Sequence, residues 1–382
     1  MKQGLTTGSR ALRCLAFGVV AFVMAGVSTP AMAQLAPVTT ANLGTGWNLG
    51  NSLEATASGK TPYTSSRETN WGNPAVNQQI FNGIAAAGFK SVRIPVSWMQ
   101  YADRNNVIQP FWLARVKQVV DMARNAGLYV IINEHWDHGW LRPTNRDART
   151  ANPKLQALWT QVGNYFKNYD NHLIFAGTNE VLFDYNTPSQ ENCTVQSNFN
   201  QIFVNAVRAT GGNNATRTLI FQGYNTNIDH TIDVCGAKVP TDSATGRLMA
   251  EFHYYDPWNF AGNDSSSIWQ WGSIATDPNA TETWANEPYV DAKMAKLKAN
   301  YTDRGIPVII GEYGAILRSE YDAPMKYRNY WDGYVTAAAE RNGHATFYWD
   351  NGYPDNHQFG LFNRNSGAQY YPTTVNAIIN AQ

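Results

Sequence analysis

The sequence predicts an α/β fold, a single-domain (β/α)8 barrel with long loops after its strands. Three observations carry the prediction. Short apolar runs alternate with segments whose apolar residues recur at helical spacing, through eight units between positions 45 and 349. Gly, Pro and Asn-Pro stand at the unit boundaries. Polar residues gather where the apolar runs stop, at the strand end where such barrels build their sites. The competing fold, an open doubly wound sheet, often carries a glycine-rich phosphate loop, and none is present.

Residues 45–49 read as the first strand. Asn73-Pro74 then opens a helix, Asn as cap and Pro at the first helical position. Val76, Ile80, Ile84 and Ala87 share one face of it, and Gly88 stops it before a strand at 91–95. Pro110 opens the next helix, with Leu113, Val116, Val120 and Ala123 inward and Gly127 as its end; 128–132 is the strand. Asn152-Pro153 opens a third, with Leu155, Leu158, Val162 and Phe166 inward, before a strand at 173–176. A helix over 199–209 precedes a strand at 217–221, and 248–252 is the sixth strand. Val290, Met294, Leu297 and Tyr301 mark a helix that Gly305 ends, ahead of a strand at 307–310. A helix over 327–341 leads to the last strand, 345–349, and 373–379 closes the chain as a helix. The long segments 53–72, 183–198 and 253–286 follow strands and are assigned to the rim.

Ahead of the barrel, Lys2, Arg10 and Arg13 flank an apolar run from Cys14 to Val27, and Ala31-Met32-Ala33 precedes Gln34. This is the layout of a secretory signal peptide over 1–33, cut after Ala33, leaving 34–382 as the mature domain. The run is short for a membrane span. The expectation is an exported, soluble monomer, periplasmic or extracellular, with no membrane partner after cleavage. With 29 basic and 29 acidic residues there is no basic stripe for nucleic acid or anionic lipid. Cys14 leaves with the leader. Cys193 and Cys235 remain in loop-like sequence of an exported chain, so one disulfide is expected over two free thiols.

Ala176-Gly177-Thr178-Asn179-Glu180 and Val308-Ile309-Ile310-Gly311-Glu312-Tyr313 each end an apolar run at a Glu. On parallel strands of one barrel both carboxylates emerge on one rim, and a carboxyl pair across a cleft suits acid and nucleophile work on a glycosidic bond. Arg93, His135, His253, Tyr255 and Trp349 stand at the same ends of other strands. Each alone has a structural reading: Arg93 neutralising a buried acid, His253 and Tyr255 as satisfied core groups, Trp349 as packing. Their joint placement favours a site. Among the 13 Trp, Trp47, Trp140, Trp258 and Trp349 are candidate platforms for the apolar faces of sugars, with Trp47 and Trp349 flanking motif residues. His135, Asp137 and His138 follow Glu134 but do not form H-E-x-x-H, so no catalytic metal is expected, a loop calcium being the alternative. No cofactor is expected.

Gly46-Trp47-Asn48-Leu49-Gly50-Asn51, Val92-Arg93-Ile94-Pro95-Val96-Ser97-Trp98, Ile131-Ile132-Asn133-Glu134-His135, Asn179-Glu180, His253-Tyr254-Tyr255, Gly311-Glu312-Tyr313-Gly314 and Phe347-Tyr348-Trp349 occur in that order. In these motifs the chain resembles glycoside hydrolase family 5, and within it the bacterial endo-β-1,4-glucanases, from about Leu43 to Asn351. The resemblance implies Glu180 as acid/base and Glu312 as nucleophile, with Arg93 and Tyr255 steadying the nucleophile. It implies that Asn179 bonds the sugar 2-hydroxyl, that His135 and His253 complete the polar lining, and that Trp349 stacks under the sugar at the cleavage point. Asn51, ending the first motif, is counted among the substrate-binding residues. Val181 stands where the family often has Pro and Trp136 where it often has a second His, which leaves the preferred polymer open among cellulose, xyloglucan, mixed-linkage glucan and mannan. The alternative of another class is a non-catalytic glycan-binding barrel, which needs neither Glu.

Overall fold

The computed structural model describes residues 35–381, with Met1, residues 4–6 and Gly8 ahead of them. The expected leader lies almost entirely outside the described residues. Residues 35–381 form one compact unit, a (β/α)8 TIM barrel.

Eight parallel strands close in sequence order: β1 Thr45–Leu49, β2 Ser91–Ile94, β3 Tyr129–Asn133, β4 Leu173–Ala176, β5 Leu219–Gln222, β6 Leu248–Tyr254, β7 Val308–Tyr313 and β8 Ala345–Asp350. Nearly every strand residue is buried, because one face fills the barrel and the other packs on helices. Ile131, Ile174, Ile220, Met249, Ile309 and Phe347 form the inner core. Val92, Val130, Leu173 and Tyr348, one position out of phase, join the outer core under the helices. A short helix, α1 Thr40–Leu43, adds Leu43 to the inner core, and the Val38 N–H donates to Thr218 Oγ1 at 3.1 Å.

The outer helices are α2 Gln78–Ala87, α3 Pro110–Asn125, α4 Asn145–Phe166, α5 Gln190–Ala209, α6 Trp258–Ala261, α7 Glu287–Asn300, α8 Lys326–Arg341 and α9 Pro372–Ile379. Pro110 opens α3 as expected, but two other Pro signals mislead. Asn73-Pro74 opens no helix; α2 begins at Gln78 under an Asn77 cap. The Asn73 amide is buried and donates to the Asn51 and Asn351 carbonyls at 3.0 and 2.9 Å, tying two rim loops together. Pro153 lies inside α4, whose cap is Thr144. The segment 183–198 is half helix, since Ser189 caps α5 with its hydroxyl. Cys193 is therefore helical rather than in a loop, and it is bonded to Cys235 after β5, with 5.1 Å between their Cα atoms. Among the described residues no helix is long and apolar enough to cross a membrane.

Candidate active site

Strand pairing places Asn48, Arg93 and Trp349 in one inward-facing layer, because Asn48 pairs with both of the others. β6 and β7 run further than the apolar pattern indicated, so His253 and Glu312 sit within strands rather than after them. Between these strands the register shifts by one residue at Phe252/His253. The shift sets His253 opposite Glu312 and leaves Gly311 as the extra residue. The Asn48 amide donates to the Gly311 carbonyl at 2.9 Å and accepts from Arg93 Nη1 at 3.0 Å, fixing the guanidinium against the shifted strand.

Arg93 is fully buried and touches three side chains besides Asn48. Its Nη1 is 2.9 Å from Glu312 Oε1, its Nη2 donates to Asn179 Oδ1 at 2.7 Å, and its Nε is 2.9 Å from Glu251 Oε1. Tyr255 donates to the other Glu312 oxygen, Oε2, at 3.2 Å. Asn179 spends its oxygen on Arg93, which leaves its Nδ2 as the free donor. His253 Nδ1 lies 2.7 Å from Glu180 Oε1 and 3.6 Å from Glu312 Oε2. One oxygen of each of these carboxyl groups and a ring nitrogen of His253 lie within 4.8 Å of one another. The two carboxyl groups thus approach at short range, with His253 between them.

Burial sets the charge state of this cluster. Burial alone would lower His253, but Glu312, Glu180 and Glu251 outweigh it and raise His253 to about 9, so the ring is a cation at neutral pH. Burial pushes Glu312 above the usual carboxylate range, and His253 and Arg93 offset this only in part. Burial also acts on Glu251, but there Arg93 and His253 prevail and hold it below that range. Two cations thus face three carboxyl groups, and a single added proton makes the set neutral. His135 is held neutral by burial and by the charges of Arg93 and His253. Asn133 accepts from the Val96 N–H through Oδ1, so its amide donates to His135 Nδ1 at 3.1 Å and the proton of the neutral ring sits on Nε2.

Two connected hollows of about 810 and 610 Å³ meet at His135, Asn179, Glu180, Tyr185 and Trp349. Trp349 lies parallel to His135, ring centres 5.9 Å apart. A Cβ at Gly50 would come 2.9 Å from its ring, so glycine there leaves room for it. Trp258 is 55% exposed and lines the larger hollow, edge-on to Tyr255. Asn51 lines the smaller one, its N–H donating to Glu54. The other two candidate tryptophans line neither hollow. Trp47 is 0% exposed, faces the helices and donates to Asp350 Oδ2 at 3.1 Å. Trp140 donates to Glu134 at 2.9 Å, carries Lys154 over its ring at 4.8 Å, and lines a separate hollow with Arg149. Asp137 accepts backbone N–H groups from Trp98, Met99 and Gln100, which accounts for it without an ion.

The sequence reading passed over Glu251, although an acid inside an apolar strand is a signal, and the exposed rim aromatic Tyr185. It also passed over Glu54. This carboxyl is buried after β1 and accepts from the Asn51 and Ser52 N–H groups. Burial outweighs those bonds and Arg364, raising it to about 7. A carboxyl raised from 4.5 to about 7 stabilises the fold fully below 4.5 and loses that contribution as pH rises through 7. His253, raised from 6.5 to about 9, acts in the same sense at higher pH. Melting temperature is therefore expected to fall as pH rises from 5 to 9, and Glu54→Gln to flatten the lower half of that slope. Calorimetry at stepped pH checks this; an equal slope in the variant would contradict it.

The model for cellulase (glycosyl hydrolase family 5) matches residues 55–355. The chain is 42% identical over 359 residues to endoglucanase A of Paenibacillus barcinonensis, covering 89% of this chain and 88% of that protein. It is 39% identical over 347 residues to a xyloglucan-specific endo-beta-1,4-glucanase of Bacteroides ovatus, covering 87% and 68%. A solved family 5 xyloglucanase from Paenibacillus pabuli matches with a TM-score of 0.84 and 39% identity, covering 90% of this chain and 99% of that one.

Proposed function

The chain belongs to glycosyl hydrolase family 5, and from that premise we propose that it is an exported, retaining endo-β-1,4-glucanase with Glu312 as nucleophile and Glu180 as acid/base. The observation that carries the mechanism is the short approach of the two carboxyl groups, with oxygens within 4.8 Å of each other. Retaining enzymes hold their carboxyl groups about 5–5.5 Å apart, whereas inverting ones leave roughly 6.5–9.5 Å for a water. Glu312 has both oxygens engaged as acceptors, by Arg93 and Tyr255, which suits a carboxylate aimed at carbon. Glu180 accepts from His253 through one oxygen and keeps the other for a proton.

In the first step Glu312 attacks the anomeric carbon. The glycosidic C–O bond breaks, and the Glu180 proton goes to the departing oxygen. In the second, water attacks the same carbon while Glu180 takes a proton from it, and the bond to Glu312 breaks. Asn179 Nδ2 is the donor for the neighbouring sugar hydroxyl, and Trp349 and Trp258 offer faces for the sugar rings.

A second reading, xyloglucan as preferred polymer, is favoured by two relatives named for that substrate. One panel tests both: reducing-end release and product size on carboxymethyl-cellulose, xyloglucan, mixed-linkage glucan and mannan. Internal cleavage of a β-1,4-glucan is expected, and a higher kcat/KM on xyloglucan than on unbranched glucan supports the second reading. No release from any of them would leave the glycan-binding barrel.

A further inference from the structure

Glu251 lies beneath the reacting pair, and neither chemical step uses it. It is fully buried in β6, and its carboxylate meets three side chains. Oε1 lies 2.9 Å from Arg93 Nε and 3.2 Å from His253 Nε2, and Oε2 accepts from Gln222 Nε2 at 2.6 Å. Gln222 spends its own oxygen on Thr178, accepting from the backbone N–H at 2.9 Å and the hydroxyl at 3.1 Å. Thr178 is two residues before Glu180, and Glu180 meets His253 Nδ1 at 2.7 Å. The contacts close a ring: Glu180, His253, Glu251, Gln222, Thr178, and along the backbone to Glu180 again.

The fold makes room for this carboxylate. A Cβ at Gly311 would lie 2.1 Å from Glu251 Oε1, and Gly311 is the extra residue at the register shift that sets His253 opposite Glu312. The glycine before the nucleophile is thus required by Glu251.

We propose that Glu251 is a positioning residue of the reaction, which holds His253 as a doubly protonated imidazolium whose Nδ1–H donates to Glu180. A neutral imidazole carries one N–H and can serve an acceptor at one nitrogen only; carboxylates at both nitrogens require two protons. Glu180 faces the ring from the loop after β4, Glu312 from β7 and Glu251 from β6, against the cation Arg93 from β2 and the neutral His135 after β3. Glu251 is the one of the three carboxylates that never meets the substrate, so its charge stays constant through both steps. Its effect on turnover rests on Glu180 and Glu312 being the reacting pair; its effect on His253 does not.

The test is nitrogen-15 NMR of the His253 ring in the folded enzyme, read beside kinetics. In the wild type both ring nitrogens are expected to be protonated at pH 7. In Glu251→Gln the His253 midpoint is expected to fall by about one pH unit or more. Turnover of β-glucan is expected to fall about 10- to 100-fold, short of the full worth of acid–base help, with KM nearly unchanged. Gln222→Met leaves the carboxylate in place and is expected to keep His253 charged. A singly protonated His253 in the wild type, an unmoved midpoint in Glu251→Gln, or a neutral ring in Gln222→Met each overturns the proposal. If the reacting pair were misassigned instead, Glu180→Ala and Glu312→Ala would keep their turnover while the His253 midpoint still moved.

Discussion

Glu312→Ala is expected to end turnover on natural and activated substrates alike, by a factor on the order of 10⁵–10⁶, because no glycosyl-enzyme can form without the attacking oxygen. The loss should not be a folding defect. Glu312 is one of three carboxyl groups facing the cations Arg93 and His253, and burial makes its charged form costly. After its removal Arg93 keeps Glu251 as ion-pair partner, and charges in the cluster balance. The variant is therefore expected to melt at or above the wild-type temperature, a measurement that separates loss of chemistry from loss of structure.

Glu180→Ala is expected to discriminate between substrates. Its side chain is 37% exposed and makes one contact within the cluster, to His253, so the cost to the fold should be small. Glu312 retains Arg93 and Tyr255 and can still attack. A natural glucan, whose departing oxygen needs a proton, should be barely cleaved. An aryl glycoside with a leaving group that departs as the anion should still form the glycosyl-enzyme. General acid help is worth about 10²–10⁴-fold, so the ratio of losses on the two substrates should fall in that range. Equal losses on both would argue that Glu180 supports the site without donating the proton.

The barrel was legible because its strands are apolar on both faces and bounded by turn residues, and because α3 announces itself with Pro at its first position. Strand ends were not. His253 and Glu312 are polar, and polar residues after an apolar run read as loop, yet at a barrel mouth the ladder continues through them. Pro153 reads as a helix start, but it is carried inside a longer helix that Thr144 caps. Trp47 and Trp349 both flank motif residues, and only strand register tells them apart: Trp47 pairs with Val92 and faces the helices, while Trp349 pairs with Asn48 and faces the mouth. Trp140 lies away from the two hollows for a different reason, since the loop that carries it turns the indole onto Glu134 and Lys154. The seven motifs singled out the residues of the cluster, apart from Glu251. What they could not supply was its charge arrangement, with His253 standing as a cation between two carboxyl groups.

The division of labour between Glu180 and Glu312 is tested most directly by the configuration of the azide product formed by each alanine variant from an activated β-aryl glycoside. In Glu180→Ala, azide enters the space left by the acid/base and attacks the glycosyl-enzyme, so the β-glycosyl azide is predicted, with configuration retained. In Glu312→Ala, azide occupies the nucleophile's place and attacks the substrate itself, so the α-azide is predicted. The α product from the first variant and the β product from the second would contradict the account by exchanging the two roles.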